Sequence, residues 1–184
     1  MKHVMVDLET LGTVASSVIM SIGAVKFDLD SNGIDDNGFY ASISIDSNLA
    51  VGRQINEDTL LWWLKQSPEA QKVFHESKQS LEAALENFSE WFGQGRGSDK
   101  TLIWSNGADF DLPMLAHAYH LYGWTPPWVF YNSRCVRTYK NLPIAKDVAK
   151  PAAGVAHNAL ADAINQARHV QAIHAAMSGR KAAA

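Results

Sequence analysis

Five residues of types that can do chemistry with metal ions occur in a set order along the chain. They are Asp7, Glu9, Asp111, His157 and Asp162. Carboxylates drawn together repel one another and resist ionisation unless cations hold them, so a fold that gathers these four predicts a divalent-metal site. The histidine would supply a base beside that site. Metal ions and a base for water's proton are what phosphodiester hydrolysis needs at neutral pH.

Each of these motifs has an ordinary structural explanation when it stands alone. Asp7 and Glu9 end a predicted strand, where residues two apart share a face and can reach one ion, although strand-end acids are often simply solvated. Asp111 follows a short apolar strand and could instead cap a helix. His157 stands before a predicted helix that turns Asp162 inward. The joint pattern is therefore more specific than any of its parts.

Asp109 competes with Asp111 for the middle position. Phe110 lies between them and is expected to pack inward, which would leave the two acids in different environments. We therefore favour Asp111 as the ligand.

Length and composition predict one compact domain. The chain has 184 residues, of which 47% are hydrophobic, enough for one sizeable core. We expect a domain over residues 1–178 and a flexible tail over 179–184, whose alanines could be left over from cloning. The single cysteine, Cys135, cannot form an internal disulfide, and the N-terminus has no apolar run long enough for a signal peptide or membrane span. These features predict a cytoplasmic protein.

The charge balance argues against a protein that holds nucleic acid by bulk electrostatics. The net charge is −3 and the isoelectric point is about 6.1. Without the four proposed ligands the net charge changes from −3 to +1. A basic run over 134–150 could be a solvated face or could contact phosphates, and Arg137 could equally pair internally. The basic residues of this run are Arg134, Arg137, Lys140, Lys146 and Lys150.

Alternating strand-like and helix-like segments predict a mixed sheet covered by helices, in the α/β or α+β class. Apolar alternation marks the strands, and helical spacing with capping residues marks the helices. Strands are predicted at 3–8, 18–28, 38–45 and 101–104, the first three as an antiparallel meander. Helices are predicted from about 56, from 67, and over 80–92, 111–122 and 158–177.

Taken together, the motifs resemble those of the DnaQ-like, DEDD-type 3'-to-5' exonucleases, of the subtype with a histidine base. The resemblance includes the phage and prophage branch of exonuclease-VIII-type proteins and covers nearly all of residues 3–177. It implies an α/β, ribonuclease-H-like fold, in which a mixed five-stranded sheet is flanked by helices. Cys135 departs from the pattern, since relatives often carry an acid there. The supporting stretches are Asp58 and Thr59 with Trp62 and Trp63, then 104–111, 136–138 and 155–162.

The family resemblance implies a role for each of the five residues. Asp7, Glu9 and Asp162 would hold one metal ion. Asp7 would also bridge to a second ion, which Asp111 would support. His157 would accept the proton of the attacking water. The implied cofactors are two divalent metal ions, Mg²⁺ or Mn²⁺, and the implied products are 5'-nucleoside monophosphates.

The same resemblance implies residues that contact the substrate. Thr10 and Leu11 would lie against the terminal nucleotide, with Leu11 as an apolar wedge. Adjacent helical residues point about 100° apart, so at most one of Trp62 and Trp63 can face the cleft and stack on an unpaired base. The substrate-binding candidates are Thr10, Leu11, Trp63, Asn106 and Arg137.

Three functions compete for this sequence. The leading one is a metal-dependent exonuclease that removes nucleotides from single-stranded 3' ends of DNA. The second is an exoribonuclease on the same scaffold, because recognition of a 2'-hydroxyl needs only a local contact. The third is a non-catalytic module that binds nucleic acid or a polymerase, against which the intact acidic set argues. The predicted partners are single-stranded 3' ends of DNA or RNA. No membrane association is predicted, and the sequence leaves open whether the protein forms a homodimer.

Overall fold

The computed structural model describes residues 1–93, 100–151 and 157–179. The tail predicted for 179–184 therefore lies outside the described residues, apart from Gly179. Within the described ranges, no helix is both long enough and apolar enough to cross a membrane.

The first three strands form an antiparallel meander, as the alternation of apolar residues predicts. β1 (His3–Thr10) pairs with β2 (Ile19–Phe27), and β2 pairs with β3 (Phe39–Ser42). β1 and β2 are buried on both faces along most of their length, which accounts for their near-continuous runs of Val, Ile and Met.

Two parallel strands complete the sheet on the other side of β1. β4 (Leu102–Ser105) pairs with β1, and β5 (Ser133–Cys135) pairs with β4, giving the strand order β3-β2-β1-β4-β5. The prediction of a mixed five-stranded sheet is confirmed. Because β1, β4 and β5 run in the same direction, their carboxyl ends meet at one edge, where sheets of this kind bind ligands.

Seven helices flank the sheet within the described residues. The helices that the sequence predicted begin where expected, because Asn56, Ser67, Ser80 and Asn158 each accept a hydrogen bond from a backbone N–H three residues later. The helices are α1 (Ile45–Ala50), α2 (Glu57–Trp63), α3 (Pro68–Gln71), α4 (Leu81–Phe92), α5 (Asp111–Leu121), α6 (Val136–Lys140) and α7 (Ala159–Met177).

Four short elements differ from the sequence prediction, and α1 is one that the sequence did not predict. The strand expected over 38–45 ends at Ser42, because the Ser44 side chain caps α1. β5 and α6 were not identified, since a three-residue strand of Ser, Arg and Cys has no apolar pattern. Pairing with β4 alone defines β5.

β1 sends alternate side chains to the two faces of the sheet. Val6 and Leu8 pack in the larger core with α4 and α5, whereas Met5 packs in a second core with α7. Strand alternation then places Asp7 and Glu9 on the Met5 face, toward the N-terminal end of α7. The position of α7 thus decides what these two carboxylates meet.

Candidate active site

The carboxyl end of β1 and the first turn of α7 bring three carboxylates together. Asp7 and Glu9 continue the face of β1 that α7 covers, and Asp162 lies in the first turn of α7. One oxygen from each of the three residues lies within 4.8 Å of the other two. Residues separated by more than 150 positions in the sequence therefore form one acidic cluster.

A glycine in β2 allows α7 to approach this closely. Gly23 pairs with Asp7 in the register of β1 and β2. A Cβ atom at Gly23 would lie 2.1 Å from the carbonyl carbon of Ala159 and 2.2 Å from the amide nitrogen of Leu160, so the backbone of α7 packs directly on the strand. Because Gly23 has no side chain, α7 lies close to the sheet, and this determines the distance between Asp162 and the sheet.

Asp111 reaches the same strand end from the opposite layer. It is the first residue of α5, is 2% exposed, and accepts a hydrogen bond from the Leu8 N–H at 3.2 Å. Its carboxylate lies outside the group of three described above. Asp109, the competing acid, is exposed to solvent. Of the two acids, Asp111 is the one held against β1.

Burial and mutual repulsion keep the four carboxyl groups from ionising easily. Desolvation, and then the charges of Asp162 and Asp111, raise the pKa of Glu9 to about 8. Desolvation, followed by the charges of Asp111 and Glu9, raises the pKa of Asp7 well above its usual range. Burial raises the pKa of Asp111 to about 6, opposed by the Leu8 N–H. Burial also raises the pKa of Asp162.

The donor set fits divalent metal ions. The three clustered residues offer carboxylate oxygens, the hard ligands that Mg²⁺ and Mn²⁺ prefer. A cation among them would favour the ionised form of each carboxyl group and so reverse the raised pKa values. The acidic cluster is thus consistent with a metal site.

Gln166 holds one of the carboxylates in place. Its Nε2 donates a hydrogen bond to Oδ1 of Asp7 at 2.6 Å. Gln166 lies one helical turn after Asp162, on the same face of α7. The sequence analysis did not identify this residue, although its spacing of four from Asp162 was the available signal.

His157 precedes α7 in a left-handed backbone conformation, with φ of 61°. Non-glycine residues seldom adopt this conformation, so the surrounding contacts must hold it. The next residue, Asn158, caps α7. The His157 ring meets the rings of Trp62 and Trp63 edge to face, with centroids 5.1 and 5.6 Å apart. His157 lines the same cavity as the three clustered carboxylates.

Two cavities meet at Leu8 and Glu9. The first, which we call the polar cavity, has a volume of about 500 Å³ and contains the acidic cluster and His157. The second, which we call the aromatic cavity, has a volume of about 370 Å³. It lies on the other side of Glu9 and is lined by Thr10, Gly12, Thr13, Asp58, Thr59, Trp62, Trp63 and Phe110.

Two of the substrate-binding candidates are buried side chains. Trp63 is 1% exposed, and its Nε1–H donates to the carbonyl oxygen of Thr10 at 2.9 Å. Leu11 is 0% exposed. Both side chains are covered by packing around the end of β1, although Trp63 forms part of the wall of the aromatic cavity, so their contacts with a nucleotide stay predictions. Trp62, which is 44% exposed, is the accessible tryptophan of the aromatic cavity.

The remaining candidates lie around the two cavities. Thr10 is buried, and its Oγ1 donates to the carbonyl oxygen of Gly12 at 2.8 Å. Asn106 lines the polar cavity, and its Oδ1 accepts a hydrogen bond from Nζ of Lys140 at 3.0 Å. Arg137 is exposed, with its guanidinium beside the turn that follows Asn106.

Comparison with known proteins identifies the family. A family model described as the 3'-5' exoribonuclease Rv2179c-like domain matches residues 2–174. The chain belongs to this family. Its members are 3'-5' exonucleases, so the DnaQ-like, DEDD-type resemblance seen in the motifs is confirmed at this level.

A phage protein is a distant relative of the chain. An exodeoxyribonuclease of Enterobacteria phage T4 is 24% identical over 126 residues. The match covers 60% of this chain and 52% of the phage protein. The chain therefore spans about half the length of this relative.

Solved structures establish the fold type. Exonuclease I of E. coli, in complex with a dT13 oligonucleotide, superposes with a TM-score of 0.68 at 14% identity, covering 92% of this chain and 40% of the E. coli chain. The nuclease domain of 3'hExo, a DEDDh family member bound to rAMP, superposes with a TM-score of 0.56 at 15% identity, covering 96% and 92%. The predicted ribonuclease-H-like fold is confirmed.

Proposed function

We propose that the protein is a metal-dependent exonuclease that hydrolyses single-stranded DNA from the 3' end and releases 5'-nucleoside monophosphates. The observation that carries this proposal is the acidic cluster of Asp7, Glu9 and Asp162 with His157 in the same cavity. We assign the chain to the histidine subtype of the DEDD exonucleases, with residues 1–178 as one nuclease domain. The T4 relative supports the phage and prophage branch.

Four carboxylates of the chain are proposed to hold the metal ions. Asp7, Glu9 and Asp162 would bind one ion, and Asp7 with Asp111 would bind a second. When bound, such ions stabilise negative charge on the attacking and leaving oxygens of a phosphodiester. Gln166 fixes one oxygen of Asp7 through its 2.6 Å hydrogen bond, which restricts rotation of that carboxylate.

His157 is proposed as the general base. Its ring lines the polar cavity beside the acidic cluster, where a water molecule that attacks the phosphorus must lose a proton. The edge-to-face contacts with Trp62 and Trp63 restrict the rotation of the ring.

The aromatic cavity is proposed to bind the 3'-terminal nucleoside. Its volume of about 370 Å³ is in the range of small-molecule sites, and its walls include Trp62 and Phe110. An exposed tryptophan can stack on a base of any identity, as removal of successive nucleotides requires. Glu9 lies in both cavities, so a nucleoside in the aromatic cavity would place its 5' phosphate at the acidic cluster.

An exoribonuclease is the second candidate, because the family description names exoribonuclease activity. The phage relative is named an exodeoxyribonuclease, and E. coli Exonuclease I was solved with DNA oligonucleotides, which favours DNA for this chain. A DNA nuclease and an RNA nuclease of this family would differ in a contact to the 2'-hydroxyl rather than in the acidic cluster.

The test uses single-stranded DNA and RNA of matched sequence, each labelled at the 5' end. We expect a ladder that shortens from the 3' end with Mg²⁺ or Mn²⁺, faster on DNA, and no cleavage with chelator. Asp162→Asn is the matched control for a contaminating nuclease. A DNA duplex with a 3' overhang would show whether pairing stops the enzyme. Tight binding of both strands without cleavage would overturn the proposal and favour a binding module, and faster cleavage of RNA would favour the second candidate.

A further inference from the structure

The polar cavity extends well beyond the acidic cluster. Four residues of α7 line it. The last three follow the first by three, four and seven positions, so all four lie on one face of the helix. Asp162 and His169 are therefore separated by about 10 Å along the helix axis. The four residues are Asp162, Asn165, Gln166 and His169.

The far end of this cavity is basic. Lys140 and Lys150 line it together with His169. Within the described part of the chain, the one ion pair closer than 4.0 Å joins His174 and Asp30, so neither lysine has a carboxylate partner there. The half-buried Lys140 donates to the neutral amide of Asn106, and Lys150 is exposed. Among the described residues, neither lysine therefore has a carboxylate within 4.0 Å, although the charge of Asp7 acts on Lys140 from farther away.

Two buried side chains in the cavity wall have unused hydrogen-bonding atoms. His169 is 7% exposed, and its Nε2 has no hydrogen-bond partner among the described residues. Gln166 is 9% exposed, and its Oε1 likewise has none there, although its Nε2 is bound to Asp7. Buried polar atoms are rarely left unpaired in folded proteins. The proposed reaction at the acidic cluster does not use His169.

The other basic residues of 134–150 are placed differently. Arg134 donates to the carbonyl oxygens of Tyr131 and Ser133, and Lys146 is an exposed residue that does not line the cavity. The basic run is therefore part solvated face and part cavity wall. Lys140 and Lys150 are the members that line the polar cavity.

We propose that Lys140, Lys150 and His169 form a second phosphate subsite, which binds the phosphodiester on the 5' side of the bond that is hydrolysed. The inference rests on the proposed function, because it takes the acidic cluster as the place of the scissile phosphate. With the terminal nucleoside in the aromatic cavity, the strand continues from the acidic cluster into the polar cavity. Its next anionic group then meets the two lysines, which are phosphate-binding groups, beside the buried side chain of His169.

The charges around Lys140 are consistent with an anion site. Burial, and then the charges of Lys150 and Arg137, lower the pKa of Lys140, and the charge of Asp7 opposes them. A phosphodiester anion between the lysines would offset this repulsion.

The first test compares two short substrates. A dinucleoside monophosphate contains only the scissile phosphodiester, whereas a trinucleoside diphosphate adds the one on its 5' side. We expect Lys140→Gln, Lys150→Gln and His169→Gln each to lower the ratio of kcat/KM between trinucleotide and dinucleotide by about tenfold, the effect of losing one charge-assisted hydrogen bond. Lys146→Gln, from the same basic run, is the control and should keep the wild-type ratio. A ratio unchanged in all three variants would overturn the subsite.

The second test changes the substrate instead of the protein. A methylphosphonate in place of the upstream phosphodiester removes its charge and leaves the scissile bond intact. With wild-type protein, we expect cleavage of this trinucleotide to fall by about tenfold, and the lysine variants should then lose nothing further. Equal cleavage of the charged and neutral trinucleotides by wild-type protein would overturn the proposal without any variant having to fold.

The outcomes separate this subsite from the proposed function. Wild-type protein that cleaves both short substrates, with no preference for the upstream charge, would overturn the subsite alone. Wild-type protein that cleaves neither would overturn the nuclease assignment, and fluorescence anisotropy of labelled trinucleotides would then test the subsite by binding. In that assay the charged trinucleotide should bind more tightly than the methylphosphonate, and Lys140→Gln should abolish the difference. Competition by inorganic phosphate as strong as by the trinucleotide would overturn recognition of an internal phosphodiester.

Discussion

The polar and aromatic cavities lie on either side of Glu9 and differ in almost every property. The polar cavity combines carboxylates with two lysines and two histidines, whereas the aromatic cavity presents Trp62 and Phe110. Both depend on the end of β1, because Asp7 projects toward α7 while the carbonyl of Thr10 binds the Trp63 indole of α2. One strand end thus positions the acidic cluster and the proposed nucleoside site. The difference predicts that chemistry and nucleoside binding can be impaired separately.

The largest effect is expected from removing a carboxylate of the polar cavity. Asp7→Asn or Asp162→Asn should lower kcat by at least about a thousandfold, on the order of 4 kcal/mol of barrier, because the cluster loses a charged metal ligand. Single-turnover cleavage of a 5'-labelled DNA strand at saturating Mg²⁺ measures this. A variant whose only defect is a raised KM would contradict the separation of the two cavities.

A substitution at a residue that lines neither cavity should also impair catalysis in the polar cavity. In Gly23→Ala, the new Cβ overlaps the backbone of Ala159, so α7 must move and carry Asp162 with it. We expect about a hundredfold loss of kcat and about 1–3 kcal/mol less free energy of unfolding. Gly33→Ala is the control, since its Cβ would meet the flexible Ser31 side chain at 3.2 Å. Wild-type activity in Gly23→Ala would show that kcat does not depend on the close packing of α7 against the sheet.

Substitutions in the aromatic cavity should change KM rather than kcat. Trp62→Ala removes an exposed stacking surface, and we expect KM for single-stranded DNA to rise by about tenfold. Trp63→Phe removes the buried hydrogen bond to Thr10, so thermal or denaturant unfolding should instead reveal a loss of about 1–3 kcal/mol. Trp62→Ala could instead lower kcat and move the pH profile while KM stays constant. That result would show that Trp62 positions His157 and does not stack on a nucleobase.

The smallest expected effect concerns stability without metal. The folded pKa of Glu9 is about 8 against an ordinary value of 4.5, so the unfolded chain binds fewer protons between these values and stability falls as pH rises through that window. With chelator, the melting temperature should fall by roughly 5 °C from pH 5 to pH 8. Mg²⁺ should remove most of this fall, and Glu9→Gln should remove part of it, because the pKa values of Asp7 and Asp111 are also raised. A melting temperature that rises with pH in chelator would contradict the repulsion within the acidic cluster.

Local rules in the sequence determined the longer elements and the face on which two of the candidate site residues lie. Alternation placed Asp7 and Glu9 on one face of β1, and capping residues such as Asn158 marked where the helices begin. These features depend only on neighbours along the chain, so period and residue type suffice to predict them. The motif order led to the family, which the match over residues 2–174 confirms.

Tertiary packing decided which neighbouring residues face solvent and which distant ones meet. Trp62 and Trp63 are equivalent in sequence, but the packing of α2 against β1 buries one and leaves the other exposed. Gln166 binds Asp7, and His169 lines the same cavity as Lys140. Both contacts depend on the close packing of α7 against the sheet, which Gly23 allows. Such contacts join residues far apart in the chain, and no local periodicity encodes the distance between them.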